Sequence, residues 1–389
     1  MLVLAVAVGL SVGPHAVSAM GLHASVVGLS GLALMGVLKT GTYDISSLLA
    51  ANNQSLASYG TDRIAQILAA DNDAYNAQVD NFLADFTLTT SDRQVLAGSS
   101  IGGNMVELDE FGRPPTQKDI PGYLVGLPLR KFGFATGWTQ DWLDQATPAD
   151  LAIKQQAAQA ADLRRTRYEI ATAIFNPTNY TFNDALVDNV PLPVKAFINA
   201  DSSPMQNGPN GEVFDGTTHT HFDGVAALTA AAVSASVTDV AEHRNGVKLR
   251  ICINQADLAA FSALAGFTPL QLAYLQQVSL SSSAVLEPRL DITKTDNRLV
   301  GYFNAAEVWT KPWVPQNYLV IFDTEAPIKP LARRVRTNDR GLYIAAELDT
   351  HPLHAQYIQR YQGFAAWGRV ALAVLRFNNA TYAAPALTF

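Results

Sequence analysis

The closing stretch of the chain constrains it most. From Arg333 onward, short apolar runs at strand period follow one another with turn chemistry between them. Residues 334–337 and 342–348 read as strands, separated by Asn338, Asp339 and Gly341, residue types that initiate turns or tolerate a left-handed backbone. A third run, 370–377, is opened by Gly368 and closed by Asn378 and Asn379. Strands that return this late need partners laid down much earlier. The sequence therefore predicts a sheet belonging to a domain begun far upstream.

With 389 residues the chain is long enough for two or three domains. A formal net charge of −7 argues against a protein that coats nucleic acid, which needs a basic surface, but leaves open a shell that merely encloses it. One cysteine, Cys252, excludes an internal disulfide framework and any all-cysteine metal site. It lies in the strand-like run 247–253 and reads as a small buried apolar residue.

No Lys, Arg, Asp or Glu precedes Lys39. Residues 2–10 are apolar, and Val17-Ser18-Ala19 has the form of a signal-peptide cleavage site, yet no charged segment precedes the apolar run. Residues 20–38 have the length of a membrane span but contain four glycines and His23. Translation from Met35 is a further reading. The expectation is an arm covered by protein, without a membrane partner.

Residues 43–86 carry apolar positions at helical steps, with Asp71, Asn72 and Asp73 read as a cap between two short helices. Residues 87–137 read as a long hairpin, with strand-like 105–108 and 123–129 around a glycine- and proline-rich middle. It is expected to lie away from the core under a neighbouring chain. Thr147, Pro148 and Asp150 open a helix that no glycine or proline interrupts through Ile174, about 26 residues and roughly 40 Å. It is either a surface helix with solvated charges or a strut packed on a sheet, its arginines pairing across subunits. Residues 176–326 alternate between types as an α/β core does. A helix over 224–243 is capped by Asp223, and a strand runs over 247–253. Asn254 or Asp257 opens a helix to Leu264, Pro269 opens another to Val278, and strands follow at 299–303, 307–309 and 318–322.

Four short pieces occur in one order: Gly341-Leu342, then His351-Pro352-Leu353, then Gln362-Gly363-Phe364 with Arg369, then residues 377–382. Their order and the layout before them resemble the tailed-bacteriophage major capsid protein of the Hong Kong 97 fold, which encapsulin-like shell proteins share. The resemblance implies an α+β chain: an apolar N-terminal segment (1–38), a helical N-arm (39–86), an extended hairpin loop (87–137), a peripheral domain with the long strut helix (138–175 and 327–389) and an axial α/β domain (176–326). It implies self-assembly through hexamers and pentamers into an icosahedral shell around double-stranded DNA bound without sequence specificity. Portal, scaffolding and decoration proteins would be partners, in a virion assembled in the host cytoplasm. An encapsulin-like compartment is the alternative within the fold. Covalent cross-linking, known in some members, would draw on Lys118 or Lys131 and Asn378 or Asn379, and is not expected.

An alternative of another class is a metal-dependent amidohydrolase using His219 and His221, whose His-x-His spacing puts two imidazoles on one strand face. A glycine-rich loop precedes the pair, too little chain follows for a barrel, and His243 and His354 read as a helix end and a turn. No phosphate-binding glycine loop occurs. The G-x-S-x-G matches at residues 9–13 and 98–102 lack the strand-turn-helix context of a nucleophile. The sequence thus assigns no catalytic, cofactor-binding or metal residue, and no enzyme activity.

Overall fold

The computed structural model describes residues 45–98, 100–101, 105–116, 119–197, 200–270, 298–350 and 353–387. The apolar segment 1–38, the turn at His351-Pro352 and nearly all of the helix expected from Pro269 lie outside them. Pro269 itself ends a strand. Among the described residues no helix is long and apolar enough to cross a membrane. The chain divides into two units, and the longest elements run through both.

The first unit holds the described part of Met1–Gln78 together with Phe134–Ala160 and Leu342–Ile358. Its helices are α1 (Ile45–Ala50), α2 (Leu56–Tyr59), the start of α3 (Thr61–Leu83), α4 (Gln140–Gln145) and the start of α5 (Pro148–Phe175). Leu48, Ile64, Ile67 and Ala152 form one buried cluster, and Ala158, Leu342 and Ile358 another. The expected cap at Asp71-Asn72-Asp73 is corrected: α3 runs unbroken through it for 23 residues. Asp71 and Asn72 accept bonds from α5. Gln159 donates to Asp71 and Gln155 to Asn72, each at 2.6 Å. Thr147 caps α5 as expected: the Asp150 amide donates to Thr147 Oγ1 at 3.4 Å, while the Thr147 amide donates back to the Asp150 carboxylate at 2.9 Å.

The second unit comprises Val79–Gly133, Ala161–Gly341 and Gln359–Phe389. In it β1 (Thr87–Thr90) pairs in parallel with β15 (Leu331–Arg334), which pairs antiparallel with the end of β17 (Leu353–Ala366). β17 begins in the first unit, where β16 (Tyr343–Thr350) also lies, and it pairs with β16 and with β6 (Arg130–Thr139). The strut reading of α5 holds here, with its polar residues tied within the chain. Arg360 donates to Asp162 at 2.8 Å and Gln362 to Thr166 at 2.7 Å, all four buried. Arg165 pairs with Glu169 one turn on. Gly363 stands where a Cβ would overlap the Pro128 carbonyl, which explains glycine inside a central strand.

A seven-stranded mixed sheet dominates the second unit, in the order β11 (Phe267–Pro269), β12 (Arg298–Phe303), β13 (Ala306–Thr310), β10 (Leu249–Ile253), β14 (Tyr318–Asp323), β18 (Leu372–Phe377), β9 (Phe222–Val225). All six residues of β14 are buried. Its faces pack with α6 (Ala230–Ala241) and α7 (Leu258–Ser262) around Val233, Ile251, Phe261, Val308, Ile321 and Leu375. Cys252 is fully buried as expected, its thiol pushed up to about 12 by burial. The helix expected over 224–243 is corrected. Residues 222–225 pair in parallel with β18, and Thr229, not Asp223, caps α6 through the Ala232 amide at 3.2 Å.

Candidate functional site

The hairpin expected over 87–137 is narrower than its sequence. β2 (Gln94–Ala97) pairs antiparallel with β5 (Tyr123–Gly126), and beyond it β3 (Ser100–Ile101) pairs with β4 (Asp119–Ile120). Its root is core. Val95, Ala97, Val125 and Leu127 are buried with Val194, Ala332 and Ala365. The strand expected at 105–108 is absent, and every residue of 105–116 is exposed. Met105 is 104% and Phe111 89% exposed, with Val106 and Leu108 also open. Their turn is held locally, the Gly112 amide donating to the Asp109 carbonyl at 3.1 Å.

A polar network pins the root. Arg369 donates to the Tyr123 hydroxyl at 3.0 Å and pairs with Asp201 at 3.1 Å, and Lys195 reaches Asp201 at 2.9 Å. Burial alone would raise the Asp201 carboxyl. Hydrogen bonds from Asn179, Lys195 and Ser203 and the Arg369 charge outweigh it, holding the group well below the usual carboxylate range. Arg369, singled out in the sequence only by its place after Gln362-Gly363-Phe364, is thus one tie of the hairpin root, beside Trp367, whose Nε1 donates to the Leu96 carbonyl at 3.2 Å. The hairpin lysine Lys131 lies over the Tyr361 ring, and Lys118 lies outside the described residues.

His219 and His221 enter β9 and do converge, but on an open sheet rather than in a barrel. Sequence reasoning missed their companions. Glu242 is the C-cap of α6 and His243 follows it, and the parallel pairing of β9 with β18 brings the entry of β9 to the end of that helix. The Nε2 atoms of His219, His221 and His243 lie 3.0, 3.0 and 3.2 Å apart, and Glu242 Oε1 is 3.3 Å from His219 Nε2. His221 and His243 are buried, while His219 and Glu242 are partly open. Phe214 covers the rings, its centroid 4.1 Å from that of His243 and 4.9 Å from that of His219. His243 also lines a cavity of about 320 Å³ bounded by Tyr123, Asp201, Arg244 and Arg369.

No family model and no curated protein matches the chain. Among solved structures it is similar to one from Mycobacterium phage Patience, at 19% identity over 82% of this chain and 88% of that one, with a TM-score of 0.60. Looser likenesses include the capsid of a native GTA particle (14% identity, 76% and 89% covered, TM-score 0.42). Another is the SrpI encapsulin complex of Synechococcus elongatus (10% identity, 79% and 90% covered, TM-score 0.43). The fold is α+β and of the Hong Kong 97 capsid type. The expectation drawn from the closing strands is met at the level of fold.

Proposed function

We propose that this chain is the major capsid protein of a tailed double-stranded DNA phage, a structural subunit whose work is assembly rather than turnover. The carrying observation is the hairpin on a Hong Kong 97-type fold. Its root is locked into the core, while residues 105–116 hold Met105, Val106, Leu108 and Phe111 in water. Four large apolar side chains on one projecting loop need a cover, and a neighbouring copy supplies it at every repeat of a symmetric shell. On this reading 87–137 is the extended loop, 138–175 with 327–389 the peripheral domain and 176–326 the axial domain. Hexamers and pentamers form the shell of a virion assembled in the host cytoplasm, with portal, scaffolding and decoration proteins as partners. The acidic chain encloses DNA without reading it.

The test is particle size. The tag-free chain is expected to elute as megadalton shells or capsomers, visible by negative stain. Deletion of residues 101–118 is expected to leave a cooperatively melting subunit that forms no shells. Normal shells from the deletion, or a wild type that stays monomeric at all concentrations, would overturn the proposal.

A further inference from the structure

We propose that His219, His221, Glu242 and His243 form a four-ligand structural site for a divalent transition metal ion, zinc by preference, that ties the entry of β9 to the end of α6.

The spacing fits an ion. Zinc holds imidazole nitrogens at about 2.0–2.1 Å in tetrahedral geometry, so two such ligands stand about 3.3 Å apart. The three Nε2 separations of 3.0–3.2 Å and the 3.3 Å from His219 Nε2 to Glu242 Oε1 match that edge closely. Of the two remaining approaches, His243 Nε2 to Glu242 Oε1 is 4.0 Å, and all four ligand atoms lie within 4.8 Å of one another. A modest rotation of the partly exposed Glu242 closes the tetrahedron.

The hydrogen bonding behind the rings fits as well. The Nδ1 of His221 lies 2.9 Å from the Leu372 carbonyl, which fixes the tautomer that leaves Nε2 bare toward the other rings. A backbone carbonyl behind a histidine is the usual support of a metal ligand. The Nε2 of His221 faces the Nε2 atoms of both His219 and His243 at 3.0 Å, an arrangement that one shared cation satisfies. The negative end of α6, where Glu242 and His243 sit, favours that cation.

The ligand set selects the ion and its role. Imidazole suits zinc, copper, iron and nickel, whereas calcium and magnesium take oxygen. Four protein ligands close a tetrahedral site and leave no position for water or substrate, which marks the site as structural rather than hydrolytic. The two buried histidines form its floor, and His219 with Glu242 its solvent-facing mouth. The inference rests on these side chains and not on the shell reading, so the two can fail separately.

The test uses the full, tag-free chain. After equilibration with zinc and exhaustive desalting, elemental analysis is expected to find about one equivalent per chain, and chelation followed by zinc to lower and restore the melting temperature. Cobalt(II) in place of zinc is expected to show the intense visible absorption of a tetrahedral site. Loss of one ligand is expected to weaken zinc affinity by at least about 10–100-fold. Because His221→Ala empties a buried position, His219→Ala and Glu242→Gln, at the mouth, are measured beside it. Well-folded mouth variants that bind zinc as the wild type does would overturn the site. So would a wild type that retains no zinc, gives no cobalt spectrum and melts identically with and without the metal.

Discussion

Arg360 and Asp162 show how much hangs on single residues in this fold. The guanidinium is 1% and the carboxylate 5% exposed, and the pair bonds at 2.8 Å between the strut helix and the central strand. Two charges out of water are tolerable together and costly apart. Asp162→Ala is expected to destabilise the subunit by about 3–5 kcal/mol in denaturant titration, and the double change to Ala and Met to recover most of that. Asp201 gives a pH signature. Its carboxyl is depressed in the folded state, so its contribution is complete above the ordinary aspartate value of about 4 and drains away as the pH falls below it. Asp201→Asn is expected to flatten the acid limb of the stability curve while leaving hairpin strands β2 and β5 paired at neutral pH. An unchanged acid limb would remove Asp201 from the account.

At the scale of elements, the strut helix α5 was the most legible, because its N-terminal box lies in consecutive residues and no breaker follows for 28 positions. Which of its alanines touch a neighbour was not legible, since an alanine-rich helix has no strong apolar stripe. Ala158 is 1% exposed against Leu342 and Ile358, whereas Ala160 is exposed. Ala158→Leu is therefore expected to cost ~1–3 kcal/mol and Ala160→Leu to leave the melting temperature unchanged. The misread elements share one cause. Asp71, Asn72 and Asp223 are good caps locally, but tertiary partners claim them: two glutamines of α5 and the parallel edge of β18. Local propensity yields to such partners. The histidine cluster was half legible for the same reason. His219-x-His221 shows in the sequence, but Glu242 and His243 join it only through the pairing of β9 with a strand some 150 residues on.

For the whole molecule, order along the chain carried more information than any motif. The late strands do belong to sheets begun upstream: β17 closes on β15, and β18 enters between β14 and β9. Gln362-Gly363-Phe364 and Arg369 acquire physical roles only in that context, as a close backbone approach and a hairpin anchor. The narrow exposed segment was hidden because strand alternation continues through the buried root, and only folding separates Val125 at 0% exposure from Phe111 at 89%.

The position of β18 also sets a clock. Among the described residues β9 has β18 as its strand partner, Val374 opposite Phe222. Until the ribosome has passed Phe377, the seven-stranded sheet has a gap beside β14 and a stranded edge in β9. A chain folded without β18 therefore lacks the finished sheet, and its unpaired edges are open to mispairing with another chain. Because long-range closure is slow, the released chain is expected to complete this sheet last. Pulsed hydrogen exchange should show amides of β10 and β13 protected before those of β18, and simultaneous protection of all three would show that the late strand imposes no delay.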